Sequence, residues 1–345
     1  MGIKSTQGKN KFEQIDYKAT SDIGETLDPV FSADATGGTI LYNSADDGTS
    51  VEKYHVFTEP GYFRVNAGFA KTTNVLMVSG GGAGGGIYYA GGGGAGEVLY
   101  GSNVTFGSLE EGNEYRIIVG RGGLAENEPS PYNSGSNGED SWVYPTIGIT
   151  TAYRSEIGIQ TSGIRAYGGG GGGSYSGEGY ERGNRGGCAG GSSYYDTNIV
   201  YARRYTNNLP PSWTPYNGDS AATGESVSGG GGGAGGNSTA RNGGDGQPLP
   251  EFASGIIGPA IPQQIYPYWS TAVGPTGLYG GGGGGGGYPG YSPTGGTGGG
   301  GKGGAAAVDA EPGVDYTGSG GGGADAQGSN AGQGGKGIVI IKYVV

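Results

Sequence analysis

The chain has 345 residues, among them 87 glycines and 17 prolines, and a formal net charge of -11 at pH 7. This acidic balance disfavours non-specific nucleic-acid binding, which requires positive charge along the phosphates. Cys188 is the single cysteine, which excludes an intramolecular disulfide framework and a cysteine-based zinc site.

The N-terminal segment, residues 1–30, is polar and shows little periodicity. The pattern predicts an extended arm, and we expect this arm to serve attachment or assembly by contacting another subunit. No apolar segment follows Met1, and no run reaches the roughly 18 apolar residues of a membrane span. Neither a signal peptide nor membrane insertion is therefore predicted, and we expect synthesis in a cytoplasm.

Residues 31–78 contain short runs that are rich in β-branched and aromatic residues. The sequence Glu59-Pro60-Gly61 separates two of these runs and is typical of a turn. The pattern predicts a small antiparallel β domain with strands at 39–42, 52–57, 62–65 and 74–78.

Residues 79–345 form a series of glycine-rich blocks separated by loops of unequal length. The blocks are 80–86, 91–96, 168–173, 186–191, 229–236, 280–287, 298–304, 318–323 and 332–337. Further β-rich runs occur at 97–100, 114–119 and 337–345, and the last is long enough to close a sheet beside the earlier strands. No stretch sustains a helical period free of glycine and proline. The predicted fold class is therefore mostly β and irregular, with almost no α-helix.

Glycine is costly to order, because fixing one backbone costs about 1–2 kcal/mol and glycine lies at the upper end. A chain with few large side chains must recover much of this cost through backbone hydrogen bonds. Extended glycine helices with about three residues per turn direct every N–H and C=O outward, so that neighbouring helices can bond to one another. We therefore predict packed polyglycine II helices with long loops in residues 79–345. The alternative is a set of irregular glycine loops around a β core.

Close packing of glycine helices restricts where a side chain can occur. An interior helix has neighbours on all sides and should be unbroken glycine, as at 168–173 and 280–287. A peripheral helix can direct a small side chain outward, and the block 80–86, which contains Ala83, fits this position.

Catalysis finds little support in the sequence. His55 is the only histidine and lies in a β-like run, which favours a packed or exposed imidazole over a general base. One histidine and one cysteine cannot assemble a Ser-His-Asp triad or a metal-ligand cluster. The carboxylate pairs at 46–47 and 110–111 are interpreted as solvated loop tips, with a weak surface Ca²⁺ site as the alternative. We predict no enzyme activity, no cofactor and no metal site.

Aromatic residues are frequent in the segments between the glycine blocks. Their rings supply large contact area at low entropic cost and are favoured at binding surfaces. The alternative is that they cap the glycine blocks or pack between subunits. Prolines in sequences such as Pro210-Pro211-Ser212-Trp213 suit a pre-organised binding loop. The candidate binding residues are Tyr132, Trp142, Tyr144, Tyr194, Tyr195, Tyr201, Tyr205, Trp213, Tyr216, Tyr266, Tyr268, Trp269, Tyr288 and Tyr291.

Several motifs occur in an order that resembles the glycine-rich domain of tailed-bacteriophage tail fibre and tip adhesin proteins. They are VLMVSGGG at 75–82, GGGGAGEV at 91–98, YRIIVGRGG at 115–123, NGEDSW at 137–142, AYGGG at 166–170 and GGKGIVIIKY at 334–343. Together they cover most of residues 52–345. The resemblance implies a sandwich of polyglycine II helices whose variable loops contact a receptor on the bacterial surface, so that the candidate aromatics become receptor-binding candidates.

For function, the resemblance implies a virion structural protein, a tail fibre or adhesin, on the exterior of the tail or capsid. Its partners would be other virion proteins, reached through the N-terminal arm, and a host receptor that is a polysaccharide or an outer-membrane protein. Fibres of this kind are commonly trimeric, whereas compact tip adhesins can be monomeric. The N-terminal arm favours an assembly, so a homo-oligomer, in particular a trimer, is the expectation and a monomer is the alternative. The chain departs from compact tip adhesins in its polar arm and in long loops at 124–167, 192–228 and 237–279. A capsid, neck or tail decoration protein with a structural role only is therefore the alternative.

Overall fold

The structure is a computed structural model that describes residues 34–44, 50–86, 88–107, 113–125, 134–147, 163–175, 182–193, 199–203, 209–220, 228–287 and 291–345. The predicted arm at 1–30 and both carboxylate pairs lie outside these residues. The strands are β1 (Ala35–Thr36), β2 (Thr39–Ser44), β3 (Val51–Phe57), β4 (Gly61–Val65), β5 (Thr72–Val78), β6 (Val98–Thr105), β7 (Asn113–Ile118), β8 (Ser141–Ile147), β9 (Ile164–Ala166), β10 (Trp213–Tyr216), β11 (Gln247–Pro248), β12 (Leu278–Tyr279) and β13 (Ile338–Val344).

Most of these strands form two antiparallel sheets. The first sheet has the order β1-β4-β7-β8-β9, and the second has the order β10-β6-β5-β13-β3-β2. Strands β11 and β12 pair separately as a short ribbon. The prediction of a mostly β fold with almost no α-helix is confirmed for the described residues.

Strands from both predicted domains lie in the same sheets. The C-terminal strand β13 pairs with both β3 and β5, and β4 pairs with β7. The predicted boundary between a β domain at 31–78 and a glycine-rich domain at 79–345 therefore does not separate two folded units. The reason is that the strand partners are distant in sequence, so that a change in composition along the chain does not mark a change of sheet.

A side-chain core fills the space between the two sheets. Alternation along the strands directs Phe63 and Tyr115 of the first sheet toward Val75, Met77 and Ile341 of the second, and all five are 0% exposed. Fully burying side chains of this size contributes about 1.5–3 kcal/mol each. The core is therefore larger than the glycine content suggests.

The other face of the second sheet packs against a short helical segment. This segment contains α1 (Ser254–Ile257) and α2 (Tyr266–Val273), with 3-10 turns at Pro250–Phe252 and Gly258–Ala260. Trp269 and Val273, four residues apart on α2, are buried in the cluster that covers this face. The prediction of a long loop over 237–279 is thus wrong in part. Pro267 lies in the first turn of α2, where a missing N–H costs no helical hydrogen bond.

At one end of the sandwich the strands continue into packed glycine-rich segments, which we call the glycine lattice. For example, β5 continues into 79–86, β9 into 167–174, and 330–337 leads into β13. The lattice comprises residues 79–86, 90–97, 119–124, 134–140, 167–174, 184–192, 229–236, 239–246, 280–287, 293–304, 310–324 and 330–337. All nine of the predicted glycine blocks lie within it.

Hydrogen-bond partners in the lattice repeat every three residues. The amides of 80–82 donate in turn to the carbonyls of Glu139, Gly335 and Gly94, and those of 83–85 donate to Ser136, Gly332 and Gly91, with N···O distances of 2.8 to 3.0 Å. When the donor advances by three residues, each acceptor also moves by three. Each segment thus presents its backbone to three directions in succession.

Segment 90–96 is surrounded by six other segments. Its amides donate to 170–173, 229–232 and 318–324, and its carbonyls accept from 82–85, 188–191 and 283–286. A Cβ atom on Gly93 would overlap the carbonyl oxygen of Gly82. Close approach of the backbones therefore requires glycine at this position.

The expected outward position of Ala83 is wrong. Ala83 is 0% exposed, and its segment 80–85 exchanges hydrogen bonds with neighbours that include 134–139, 332–335 and 169–172. Ala95, in the central segment, is likewise 0% exposed. A methyl group is therefore accepted at some interior positions, which a rule of unbroken glycine does not anticipate.

Asparagine and aspartate side chains replace backbone acceptors at the margins of the lattice. The amides of Gly171 and Gly168 donate to Asn137 Oδ1 at 2.9 Å and to Asp140 Oδ1 at 2.8 Å. Asn242 and Asp245 accept from the amides of 294 and 297 in the same way, each at 3.0 Å. The two acceptors of each pair are three residues apart, which matches the repeat of the lattice.

Candidate functional site

The predicted aromatic residues occupy several different environments. Of the fourteen, Tyr132, Tyr194, Tyr195, Tyr205 and Tyr288 lie outside the described residues. Tyr201, Tyr268 and Tyr291 are exposed by 54%, 71% and 47%. Tyr216 and Tyr266 are partly buried against the cluster beneath the helical segment. The candidates therefore do not form one continuous surface.

Two of the predicted binding residues belong to the core. Trp213 is 5% exposed and lies in the cluster between the two sheets. Trp269 is 0% exposed, and its indole N–H donates to the carbonyl of Tyr316 at 3.2 Å. The expectation that these two rings are exposed is wrong, because their strand and helix direct them inward.

Trp142 and Tyr144 lie on the outer face of the first sheet. Val143 between them is 0% exposed and faces the core, so its two neighbours on β8 face away from it. Arg116 of β7 is directly opposite Tyr144, and Tyr62 of β4 is directly opposite Arg116. Aromatic rings and guanidinium groups therefore alternate across three strands.

A second row runs beside the first. Trp142 is directly opposite Arg165 of β9, and Tyr167 follows Arg165 by two residues. We call this surface the arginine–aromatic face; it comprises Tyr62, Arg64, Arg116, Trp142, Tyr144, Arg165, Tyr167 and Arg203.

Three of the four guanidinium groups of this face, those of Arg64, Arg165 and Arg203, lie over its rings. Arg165 Cζ lies 4.8 Å from the ring centroid of Trp142 and 4.5 Å from that of Tyr167. Arg203 Cζ lies 5.7 Å from the ring of Tyr167. In the other row Arg64 Cζ lies 5.1 Å from the ring of Tyr62. Contacts within about 6 Å of a ring centroid are favourable cation–π interactions.

Among the residues that the structure describes, two of the four arginines of the face are paired with carboxylates. Arg64 Nε is paired with Glu114 Oε2 at 2.6 Å, and Arg165 is paired with Asp140. Arg116 and Arg203 are exposed. The face therefore carries net positive charge in a chain whose net charge is -11.

The glycine lattice holds the second row in position. Asp140 pairs with Arg165 through Oδ2 and accepts the amide of Gly168 through Oδ1. The Tyr167 amide donates to Glu97 Oε2 at 3.0 Å. Glu97 is 0% exposed, and burial raises its pKa to about 8, so this carboxyl is largely neutral at pH 7. The stacked rings are thus fixed from beneath by two acidic side chains.

An open groove of about 670 Å³ lies beside α2. Its lining includes Tyr268 and Thr271 of the helix and Thr297, Gly298 and Val314 of the lattice margin. It has no charged group in its lining, and it brings together only one exposed candidate aromatic. We therefore place the candidate site on the arginine–aromatic face.

The two groups considered for catalysis are buried. His55 is 0% exposed; its Nδ1 lies 2.7 Å from the Gly37 carbonyl oxygen, and burial lowers its pKa to about 3. Cys188 is also 0% exposed, and burial raises its thiol pKa to about 12. In the described part of the chain no group of three or more His, Cys, Asp or Glu side chains is placed to hold a metal ion.

Sequence reasoning missed the arginines of the face and Tyr167. The available signal was the two-residue alternation in Tyr62-Phe63-Arg64 and Trp142-Val143-Tyr144, where each central residue is apolar. That alternation shows which residues share a face. It does not show which strands are neighbours, so the rows cannot be assembled from it.

A family model described as a glycine-rich domain matches residues 58–344. The chain belongs to this family. The glycine-rich domain thus begins just before β4 and ends in β13, so it includes the whole lattice and every residue of the arginine–aromatic face. No curated protein matches the sequence significantly. In the part of the chain that the structure describes, no helix is long and apolar enough to cross a membrane.

Proposed function

We propose that the protein is a bacteriophage virion structural protein, a tail fibre or adhesin, that presents the arginine–aromatic face to a host-surface receptor. The observation that carries the proposal is a set of exposed and half-buried rings and guanidinium groups on a sheet whose strands continue into the glycine lattice. A rigid support lowers the ordering cost of binding, which favours a recognition surface. The motif order that resembles phage fibre and adhesin domains supports the same function.

We further propose that the lattice is of the polyglycine II type. The three-residue repeat of partners along 80–85 and the six neighbours of 90–96 both fit helices with about three residues per turn. Backbone-to-backbone bonding of this kind needs few large side chains. It suits a particle component that must keep its shape outside a cell.

The proposed partners are other virion proteins, through residues 1–30, and a bacterial receptor that is a polysaccharide or an outer-membrane protein. A homo-oligomer, in particular a trimer, is the proposed assembly, on the exterior of the tail or capsid. An enzymatic role is not proposed, because the single histidine and the single cysteine are both buried.

Location and adsorption together test this function. Antibodies to the protein should label the exterior of virus particles that carry the gene, and the fluorescent full-length protein should bind host cells. The double variant Trp142→Ala/Tyr144→Ala should reduce cell binding at least about tenfold, because aromatic anchors dominate interface energies. Tyr291→Ala serves as the control, since this tyrosine is exposed and, like Trp142, lies against an arginine, with Arg241 Cζ 4.8 Å from its ring centroid.

The outcomes separate the two candidate roles. Labelled particles with cell binding that is unchanged in the double variant would favour a decoration protein with a structural role only. Absence of the protein from particles would overturn both roles.

A further inference from the structure

We infer that the arginine–aromatic face binds an acidic polysaccharide whose carboxylates are spaced by sugar rings. The inference rests on the proposed function and narrows its receptor to one chemical class. The observations that carry it are the charge of the face, the geometry of its guanidinium groups and the spacing of its rows.

The first argument is charge. The chain has ten arginines, and Arg64, Arg116, Arg165 and Arg203 all lie on this face. Glu114 and Asp140 balance two of them, which leaves a positive surface on an acidic protein. Such a patch raises the local concentration of anionic ligands and steers their approach.

The second argument is the way in which the guanidinium groups are held. A guanidinium that stacks on a ring uses its flat face for the contact and keeps its in-plane N–H donors available. Arg203 is exposed, and its Cζ lies 5.7 Å from the ring centroid of Tyr167, whereas Arg165, beside the rings of Trp142 and Tyr167, is paired with Asp140. Planar N–H pairs of this kind recognise carboxylates through two parallel hydrogen bonds.

The third argument is spacing. Neighbouring strands are about 4.8 Å apart, and residues on one face of a strand repeat at about 6.8 Å. Tyr62, Arg116 and Tyr144 occupy three successive strands, so that one cation lies between two rings. This pattern suits a ligand in which apolar sugar faces alternate with single carboxylates.

The same spacing argues against nucleic acid as the ligand. Duplex DNA carries one charge per about 1.7 Å, and its binding depends on neutralising many phosphates. Two excess arginines on a protein of net charge -11 are a poor match for that charge density. Nucleic acid is therefore the competing outcome of the test.

The experiment uses the purified full-length chain and labelled oligomers of polygalacturonate, alginate and hyaluronan. Dextran of equal length is the neutral probe, and a single-stranded DNA oligomer is the polyanion probe. We expect at least one uronic-acid polymer to bind more tightly than dextran and DNA. Its affinity should fall with added salt, because the contacts lie at the surface.

Three variants locate the binding. The double variant Arg116→Gln/Arg203→Gln should lower the affinity for the uronic-acid polymer at least about fivefold and reduce the salt dependence of that affinity. Trp142→Ala should lower the affinity by a similar factor. Arg241→Gln, which removes an arginine stacked on Tyr291 elsewhere, should leave the affinity unchanged. Thermal melting of each variant checks that the fold is retained.

Failure of this inference is distinguishable from failure of the proposed function. Equal binding of dextran, tighter binding of DNA, no binding of any uronic-acid polymer, or unchanged affinity in both face variants would overturn the inference. Loss of cell adsorption in Trp142→Ala/Tyr144→Ala would still support a receptor of another class. Specific binding of the acidic polymer by a protein absent from virus particles would uphold the inference and reject the virion role.

Discussion

Glu97 is a buried carboxyl between the glycine lattice and the arginine–aromatic face. Its two oxygens accept hydrogen bonds from the Tyr167 amide at 3.0 Å and from the Asn217 side chain at 3.3 Å. Burial is the largest cause of its raised pKa, and these hydrogen bonds oppose it only in part. A single ionisable group thus couples pH to the stability of the whole support.

The pKa of Glu97 predicts a pH dependence of stability. The folded protein holds this proton up to about pH 8, whereas the ordinary value is 4.5. Because the folded state binds more protons between these values, the free energy of unfolding should fall as pH rises through this window. Glu97→Gln should remove that fall and stabilise the protein at pH 8 by about 2 kcal/mol or more. Urea denaturation at pH 5 and pH 8 measures the difference.

His55 supplies the internal check for this experiment. Its pKa is lowered to about 3, so it destabilises the fold only as pH falls below about 6.5, which is the opposite sign. The contribution of His55 is the same in both proteins and cancels when Glu97→Gln is compared with wild type. If the free energies of unfolding of wild type and Glu97→Gln changed by the same amount between pH 5 and pH 8, the role assigned to Glu97 would be contradicted.

A single glycine in the lattice should be far more sensitive than a glycine elsewhere. A Cβ on Gly283 would overlap the carbonyl oxygen of Gly321. Gly283→Ala should therefore destabilise the protein by about 3 kcal/mol or more, at the upper end of overpacking costs. Gly255 of α1 has no atom within 4 Å of the position of an added Cβ, and Gly255→Ala should be neutral or stabilising by about 0.5–1 kcal/mol. Equal stability of the two variants in urea would refute the packing argument.

At the scale of elements, the margins of the lattice depend on side chains. The segment 134–140 contributes glycine only at positions 135 and 138, and its Asn137 and Asp140 accept amides that lack a neighbouring backbone acceptor. Glycine at every third position with asparagine or aspartate three residues apart is thus the pattern of a marginal segment. The same pattern ends the lattice at Asn242 and Asp245.

Removal of a marginal pair should cost measurable stability. Asp245 Oδ1 accepts both the amide and the hydroxyl of Thr297, at 3.0 and 2.8 Å. Asn242→Ala/Asp245→Ala should lower the free energy of unfolding by about 2 kcal/mol, or about 1 kcal/mol for each lost acceptor. Glu311→Ala is the control, because its ion pair with Lys302 is exposed at both ends and contributes little. If the double variant and the control unfold alike, the side chains do not close the lattice.

Helix α2 lies within the predicted long loop at 237–279, although its sequence contains a helical signal. Trp269 and Val273 are four residues apart and both buried, which is the spacing of one helical face. In the sequence, Pro267 lies between two aromatic residues within the predicted long loop at 237–279. The helix tolerates this proline because it lies in the first turn, where its missing N–H costs no helical hydrogen bond.

At the scale of the whole molecule, the sequence predicts the positions of strands better than the pairing between them. The runs at 52–57, 62–65 and 74–78 are close to the observed β3, β4 and β5. The pairing of β3 with β13 joins segments that are nearly the whole chain apart. No local pattern specifies such a pairing, so the shared sheets and the rows of the arginine–aromatic face could not be derived.

The candidate site was predicted in the same partial way. Trp142 and Tyr144 were recognised as aromatic candidates, but Arg116 and Arg165 become their neighbours only when β7, β8 and β9 are placed side by side. Trp213 and Trp269 are binding candidates in the sequence because they are aromatic residues between glycine blocks, yet both are buried in the structure. Residue type alone does not distinguish a ring that anchors the core from one that faces solvent.

The three-residue repeat of the lattice has a consequence for how such a chain can change in length. Insertion or deletion of three residues within a lattice segment shifts the pattern of partners by one whole repeat and restores every donor to its former direction. A change of one or two residues directs each following donor and carbonyl toward the wrong neighbour. The length of a lattice segment can therefore change only in multiples of three residues, whereas a connection between segments can change by any number of residues.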